Sequence, residues 1–218
     1  FLYVAAGDAG FHILGYSANS SLGGNAPLTL LGTVDTGGNA LDVRVRNSID
    51  GFNGGDPILV VANGAADVQI YSLAVPIHPT LLSTIETPGS VSTHINSAPD
   101  GSGSDFLIAD SEAGVHIVEY NGFGAFEIVG SFSAPGGSIV RTFVVVDYLT
   151  FACDSLLGVH IVDFATDKTA PTGLATFRPT ATCQDYAIPG ISDGDSVDPN
   201  IGYIAEGASG IGIYELSG

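Results

Sequence analysis

Basic residues are scarce in this chain. Lys and Arg together number 5, against 23 Asp and Glu, and the formal net charge is −18. A surface of this sign repels phosphate backbones and anionic lipid head groups. The charge balance therefore excludes nucleic acid and anionic membranes as partners held by charge, and it favours cations, basic proteins and neutral sugars.

Long apolar runs and methionine are also missing. No stretch approaches the roughly 18 to 20 apolar residues of a membrane-spanning helix, so we expect no transmembrane segment. The chain holds no Met at all, and we expect a processed or partial chain in which a signal peptide cannot be sought. Charged residues make up only 13% and Gly is 30 of 218, a composition typical of a turn-rich β-protein rather than an acidic disordered tail.

Catalytic motifs are a further absence. The sequence has no Gly-x-Ser-x-Gly elbow, Walker-type loop, dinucleotide fingerprint or Cys-x-x-Cys-His haem motif. Asp154, Ser155 and His160 are close in sequence, but no pattern aligns them as a triad. Motifs thus give no positive evidence for an enzyme, although an active site built from scattered loop residues would leave none.

The chain does contain a fivefold repeat, in which a short apolar run ends in a small or acidic turn and a Gly or Asp opens a second apolar run. The copies span residues 1–14, 58–71, 106–118, 149–162 and 201–214. The equivalent turn residues are Gly10, Asp67, Gly114, Gly158 and Gly210, at intervals of 57, 47, 44 and 52 residues. Such periods suit one four-stranded propeller blade per repeat.

Two further strand-like runs lie between copies, for example residues 28–34 and 40–45, bounded by turn residues. Residues 106–109 are apolar at successive positions, which favours a strand covered on both faces. We therefore predict an all-β fold, a β-propeller of about five four-stranded blades, as one domain over residues 1–218.

The repeat resembles that of the LVIVD-repeat β-propellers. The resemblance is strongest at residues 114–119 (Gly-Val-His-Ile-Val-Glu) and 158–163 (Gly-Val-His-Ile-Val-Asp), which are followed by outer-strand runs at 130–132 and 174–177. It extends over essentially the whole chain and implies a propeller fold and a surface or exported protein. A propeller scaffold by itself names no chemistry.

The two terminal blades are predicted to be incomplete. Counting strands gives three in the first repeat, four in each of the next three and three in the last. Either the chain is a fragment of a longer one, or both terminal blades have open edges. Open edges would invite strand addition by a partner or by another copy.

Cys153 and Cys183 would lie on adjacent blades at the same rim of a propeller, which makes a disulfide geometrically reasonable. The alternative is two buried thiols. Asn19 opens a glycosylation sequon in a polar loop.

Carboxylates and one Arg gather at the predicted rim of the central channel. These candidate ligand-binding or cation-binding residues are Asp8, Asp42, Asp110, Glu112, Arg141, Asp154, Asp185 and Glu206. Their oxygens could hold Ca²⁺, while the alternative is that they are turn residues capping backbone amides. At the position equivalent to Asp42, the third and fourth blades carry Thr93 and Arg141, an asymmetry that weakens a symmetric metal ring and favours a polar pocket.

Three acidic, Gly-rich loops are predicted at the opposite rim, over residues 50–56, 100–105 and 193–198. None matches the EF-hand pattern, so solvated hairpin loops are favoured over calcium sites. His12, His116 and His160 recur in register, with Gln69 and Gly212 as their equivalents. Since equivalent positions on different blades do not converge on one ion, a packing role is favoured over a metal site.

Three functions remain open. The leading hypothesis is a noncatalytic exported or cell-surface propeller, with a periplasmic location as a variant, that binds a protein or carbohydrate partner. The second is a self-assembling subunit of a filament or surface layer. The third is a metal-dependent hydrolase or lactonase-like enzyme with its site at the acidic channel mouth.

Overall fold

The computed structural model describes residues 1–16, 28–47, 52–89, 91–97, 105–123, 125–134, 136–144, 149–164, 166–187 and 201–215. Its regular elements are β-strands, with short 3₁₀ turns at Asn53–Gly55 and Gly207–Ser209, and no α-helix occurs in these ranges. The all-β prediction is therefore confirmed.

The strands form five antiparallel sheets in chain order. The first sheet contains β1 (Leu2–Ala5), β2 (Phe11–Tyr16) and β3 (Leu28–Val34). The second contains β4 (Asp42–Arg46), β5 (Ile58–Ala62), β6 (Val68–Ser72) and β7 (Thr80–Ile85). The third contains β8 (Ser92–Ser97), β9 (Phe106–Asp110), β10 (Gly114–Tyr120) and β11 (Phe126–Phe132). The fourth contains β12 (Ile139–Val144), β13 (Leu149–Asp154), β14 (Gly158–Asp163) and β15 (Thr172–Phe177). The fifth contains β16 (Asp185–Ala187), β17 (Ile201–Ala205) and β18 (Ile211–Glu215).

The number of strands in each sheet agrees with the count made from the sequence: three, then four in each of three sheets, then three. Strands that are adjacent in sequence pair side by side within every sheet. Turn residues between apolar runs were therefore sufficient to divide the chain into its sheets.

The repeated turn residue owes its identity to backbone geometry. All five equivalents have positive φ: Gly10, Asp67, Gly114, Gly158 and Gly210. At Gly158 (φ +113°) an added Cβ would also lie 2.2 Å from the carbonyl oxygen of Phe177 on the neighbouring strand. Glycine fits here because it has no Cβ. The non-glycine equivalent Asp67 is held by a hydrogen bond of 3.0 Å from the Thr87 N–H to its Oδ1.

The apolar cores lie between successive sheets. In β9, Phe106 and Ile108 belong to the core shared with the second sheet, whereas Leu107 and Ala109 belong to the core shared with the fourth. All four side chains are fully buried. Because alternate residues of a strand point to opposite faces, a strand between two sheets is apolar at every position, as the sequence indicated.

The sheets are also joined near one end of their strands. Isolated backbone bridges connect a turn within one sheet to the residue that leads into the next: Gly7 with Ala40, Gly64 with Ser92, and Ser111 with Ile139. The fourth and fifth sheets are joined covalently by a disulfide between Cys153 and Cys183, whose Cα atoms are 5.5 Å apart. The alternative of two buried thiols does not apply.

One charged contact also crosses between the third and fourth sheets. Lys168, the single lysine of the chain, precedes β15, and its Nζ lies 3.3 Å from Oδ2 of the buried Asp105 and also contacts Glu119. A buried carboxylate needs such a partner, since an isolated charge is costly to remove from water.

Candidate functional site

Polar side chains occupy one register position on the first strands of four consecutive sheets. Each residue pairs with the Ala or Cys near the end of the second strand: Asp42 with Ala62, His94 with Ala109, Arg141 with Cys153, and Asp185 with Ala205. Strands β4, β8, β12 and β16 neighbour one another in this order. The four polar residues are called the inner row below.

One equivalence predicted from the sequence is wrong by one residue. Thr93 was aligned with Asp42, but the pairing of β8 with β9 shifts register between Ser92 and His94. The counterpart of Asp42 is therefore His94, and the Thr93 hydroxyl donates to the Ala109 and Ile139 carbonyl oxygens at 3.2 and 3.3 Å. The same register shift lies between Ile139 and Arg141, so a β-bulge recurs just before this position, and the sequence alignment was one residue out in β8.

Asp42 and His94 form the less exposed half of the inner row, in which His94 is buried and Asp42 is half-buried. His94 Nε2 lies 3.6 Å from Asp42 Oδ2, and this oxygen accepts the Ile95 N–H at 3.0 Å. On its other side, His94 Nδ1 accepts the Thr142 N–H at 3.4 Å. His94 therefore contacts strands of the second and fourth sheets from the third, through a hydrogen bond at Nδ1 and a longer polar contact at Nε2.

Arg141 and Asp185 form the accessible half. Arg141 Nε lies 3.4 Å from Asp185 Oδ2, and the two side chains are 41% and 47% exposed. An ion pair this exposed contributes little to stability. It does present a guanidinium and a carboxylate side by side to solvent, which is an arrangement suited to hydrogen bonding with a ligand.

A second polar layer lies two residues further along the same strands, where Arg44 follows Asp42 and Asn96 follows His94. Arg44 Nη2 donates to the Ile95 carbonyl oxygen at 3.2 Å, and Asn96 Nδ2 donates to the Thr142 carbonyl oxygen at 2.8 Å. The sequence interpretation missed Arg44, His94 and Asn96. Their signal was the alternation of polar side chains along the first strand of each four-stranded repeat.

Burial keeps His94 neutral near pH 7. Loss of solvation lowers its pKa from 6.5 to about 4; Asp42 and Asp185 oppose this effect, and the positive charges of Arg141 and Arg44 add to it. With Nδ1 accepting a hydrogen bond, the proton of the neutral ring is on Nε2, toward Asp42. His94 is thus a hydrogen-bonded core residue and is not a charged ligand contact.

The carboxylates at the ends of the second strands do not join the inner row. Asp110, Asp154 and Glu206 are buried, and each binds the loop that leads into its own sheet. The Gly89 N–H donates to Asp110 Oδ2 at 2.7 Å, and the Thr180 hydroxyl donates to Glu206 Oε2 at 2.7 Å. These three residues behave as turn-capping side chains, the alternative that the sequence had left open.

Asp154 has the densest set of such bonds. Its Oδ1 accepts the N–H groups of Ser138, Leu156 and Leu157 at 3.0, 2.8 and 2.9 Å. Burial acts to raise the pKa of this carboxyl, but these hydrogen bonds and one from His160 outweigh it and lower the pKa below 3.8. The ionised form is therefore favoured in the folded protein.

The recurring histidines contact these same carboxylates. His116 Nε2 lies 3.2 Å from Asp110 Oδ2, and His160 Nε2 lies 3.1 Å from Asp154 Oδ2. Each Nδ1 is hydrogen-bonded to a hydroxyl of the outer strand, on Ser131 at 2.8 Å and on Thr176 at 2.9 Å. In the fifth sheet, where Gly212 replaces His, the Tyr214 hydroxyl bonds Glu206 instead.

This substitution favours a structural role for the acid–histidine–hydroxyl sets. A catalytic relay would require the imidazole, whereas here a tyrosine hydroxyl makes the equivalent bond to the acid. His12 makes the same contact with a hydroxyl, since its Nδ1 lies 2.9 Å from Thr33 Oγ1. It has no acid partner of this kind, because Ala6 occupies the position that Asp110 and Asp154 occupy in their sheets. The predicted packing role of the histidines agrees with these contacts.

The remaining predicted site residues are dispersed. Asp8 and Glu112 are exposed turn residues outside the inner row. Asn19 and most of the three acidic loops lie outside the described residues. Within the described part of the chain, no group of three or more His, Cys, Asp and Glu side chains could hold a metal ion, so the Ca²⁺ prediction is not supported by a ligand set there.

The chain was compared with protein-family models and with curated proteins. No protein-family model matches the chain, and no curated protein matches it. Across the described ranges, no helix has the length and apolar character needed to cross a membrane.

Proposed function

We propose that the chain is a noncatalytic, exported or cell-surface β-propeller that acts as a binding module for a protein or carbohydrate partner. The sheets would be its blades, and the inner row would line the mouth of its central channel. The LVIVD-type repeat in the sequence is part of this proposal.

Three features support the propeller arrangement. The sheets follow one another in chain order, each is an antiparallel meander, and their first strands are neighbours. Each sheet packs its apolar face on the next, as blades do around a ring. The polar residues of the first strands would then face the axis rather than a neighbouring core.

The observation that carries the binding role is the accessible Arg141–Asp185 pair at the end of the inner row. His94 and Asp42 are held by backbone hydrogen bonds, so the row is rigid before any ligand arrives. The pair offers adjacent donors and acceptors, 3.4 Å apart, to hydroxyl, amide or charged groups. The net charge of −18 favours neutral sugars or basic proteins over anions.

The exported location rests on the disulfide. Disulfides persist in oxidising compartments and are rare in the reducing cytosol. A bond joining two sheets of one chain supports a protein that folds outside the cytosol.

A binding screen tests the proposal. The purified chain is applied to an array of neutral glycans and to a panel of basic proteins, together with the double variant Arg141→Ala/Asp185→Ala. We expect a ligand that the wild type binds and the double variant does not. Arg178→Ala is the matched control, because Arg178 is an exposed Arg outside the inner row, and it should bind as the wild type does.

Two results would contradict the binding role of the inner row. One is an absence of any ligand in the screen, and the other is full binding by the double variant. A hydrolase would instead be detected as ester or lactone turnover that EDTA abolishes, an alternative that no contact among the described residues specifically favours.

A further inference from the structure

Every junction between neighbouring sheets uses the same two faces. One strand of each sheet, β2 in the first sheet and the third strand in the next three, directs two side chains at the following sheet. These pairs are Phe11 and Ile13, Val68 and Ile70, Val115 and Ile117, and Val159 and Ile161. The following sheet receives them mainly on its second and third strands. In the first junction the receiving residues include Leu59, Val61 and Tyr71.

The donating face of the fifth sheet is uncovered. By register, Ile211 and Ile213 on β18 correspond to Phe11 and Ile13 on β2. Phe11 and Ile13 are 0% and 1% exposed, whereas Ile211 and Ile213 are 72% and 67% exposed. Ile211 and Ile213 are therefore in contact with solvent, whereas their equivalents in the other four sheets are buried or, for Ile161, partly buried.

The receiving face of the first sheet is uncovered as well. Leu2 and Val4 on β1 correspond to Leu59 and Val61 on β5. Leu59 and Val61 are fully buried, while Leu2 and Val4 are 46% and 37% exposed, and Tyr16 on the same sheet is exposed too. The molecule thus carries both halves of an interface that it builds internally.

We propose that the donating face of the fifth sheet binds the receiving face of the first sheet in a second copy of this chain. The occupant follows from the internal junctions, because the same register positions already pack on each other between consecutive sheets. The fifth sheet also carries a recess of about 320 Å³ that would accept the partner's side chains. Its lining residues are Asp185, Tyr186, Ala187, Tyr203, Ala205 and Ile211.

The contact is heterologous, since two different patches meet. When two copies bind in this way, the pair still has one free donating face and one free receiving face. Further copies can therefore add until a ring closes, or without limit as an open filament. Exposed contiguous apolar patches of this type are characteristic of interaction surfaces.

Charge sets the expected salt dependence. Copies that each carry −18 repel one another, while the four central side chains, Leu2, Val4, Ile211 and Ile213, are uncharged. Added salt screens the repulsion and leaves apolar burial in place. Assembly should therefore strengthen with ionic strength, the opposite of an interface held by opposite charges.

Complementation between two variants tests the proposal by sedimentation velocity. Ile213→Glu disables the donating face, and Val4→Glu disables the receiving face. We expect the wild type to form concentration-dependent oligomers and each variant alone to remain monomeric. An equimolar mixture of the two should form dimers and nothing larger, because only one intact pair of faces remains.

The matched control is Leu81→Glu. Leu81 lies on β7, is 52% exposed, and belongs to neither end face, so this variant should assemble as the wild type does. Arg141→Ala should also assemble, because Arg141 does not line the recess of the fifth sheet, and this variant separates the interface from the ligand-binding role proposed above.

Several outcomes would overturn the proposal. A wild type that is monomeric at all concentrations and salt levels would point to closure of the two faces within one chain. Oligomers of Val4→Glu alone would show donating faces paired with each other. If a Glu variant fails to fold by circular dichroism, hydrogen exchange on the wild type decides: protection of residues 2–5 and 211–215 must rise with protein concentration.

Discussion

His160 Nε2 lies 3.1 Å from Oδ2 of Asp154 in the fourth sheet. The histidine belongs to β14 and the acid ends β13, and through Asp154 the contact extends to the loop that enters the sheet. A repeated side-chain pair thus fastens a connection between sheets, a role that neither residue type indicates by itself.

The first prediction concerns this pair. His160→Ala should lower the free energy of unfolding by about 2 to 3 kcal/mol, because it leaves a buried carboxylate oxygen without its donor. His12→Ala is the control, since His12 contacts a hydroxyl and no acid, and it should cost less than about 1 kcal/mol. Urea unfolding of both variants makes the comparison, and equal losses would show that the acid is unimportant.

Asp154 itself should couple stability to acid pH. Because its pKa is lowered below 3.8 in the folded state, its contribution is present above the unfolded pKa and is lost as pH falls through the folded pKa. Asp154→Asn should cost about 2 to 3 kcal/mol at pH 7 by misplacing an amide among N–H donors. Thermal melts from pH 7 to pH 2 should show a smaller acid-induced loss in the variant than in the wild type.

His94 should make the stability of the fold depend on pH in a higher range than Asp154 does. Its folded pKa of about 4 lies below the ordinary 6.5, so the unfolded state binds more protons between these values. Stability should therefore decrease by about 1.4 kcal/mol per pH unit below 6.5. His94→Gln can still accept a hydrogen bond but does not titrate. The wild type and the variant should differ in slope between pH 6.5 and 4, and parallel curves would contradict a neutral, buried His94.

The repeated glycine offers a matched pair of substitutions. Gly158→Ala and Gly210→Ala both place a Cβ at positive φ, but only at Gly158 does that Cβ meet a backbone carbonyl oxygen, 2.2 Å away; at Gly210 nothing lies within 4 Å. We expect Gly210→Ala to lower the free energy of unfolding by about 1 to 3 kcal/mol, and Gly158→Ala to lower it by at least about 2 kcal/mol more. Chemical denaturation midpoints measure the difference.

The disulfide should stabilise the folded protein by restricting the unfolded chain. Its two cysteines are 30 residues apart, and closing a loop of that length is worth about 3.5 kcal/mol in the chain-entropy model. Cys153→Ala/Cys183→Ala should unfold at correspondingly lower urea concentration, with the greatest rise in hydrogen exchange at the fourth and fifth sheets. A uniform rise across all five sheets would argue against a local role at this junction.

The candidate site was only partly predictable. The sequence identified Asp42, Arg141 and Asp185 as neighbours at one end of the fold, because each precedes or opens a strand at the same point of its repeat. It grouped Asp110, Asp154 and Glu206 with them, although these side chains turn inward to bind loops. A carboxylate that follows an apolar run has the same local pattern in both cases, and only its hydrogen-bond partners distinguish them.

The strands, their division among five sheets and the positive-φ turns follow from local alternation, turn residues and backbone sterics, which are all properties of short segments. Which side chains meet across strands and between sheets depends instead on how the segments pack together. The pairing of β8 with β9 places His94 in the inner row, and the pairing of β13 with β14 brings His160 to Asp154. Such contacts depend on register and on packing between distant segments, which short-range sequence patterns do not encode.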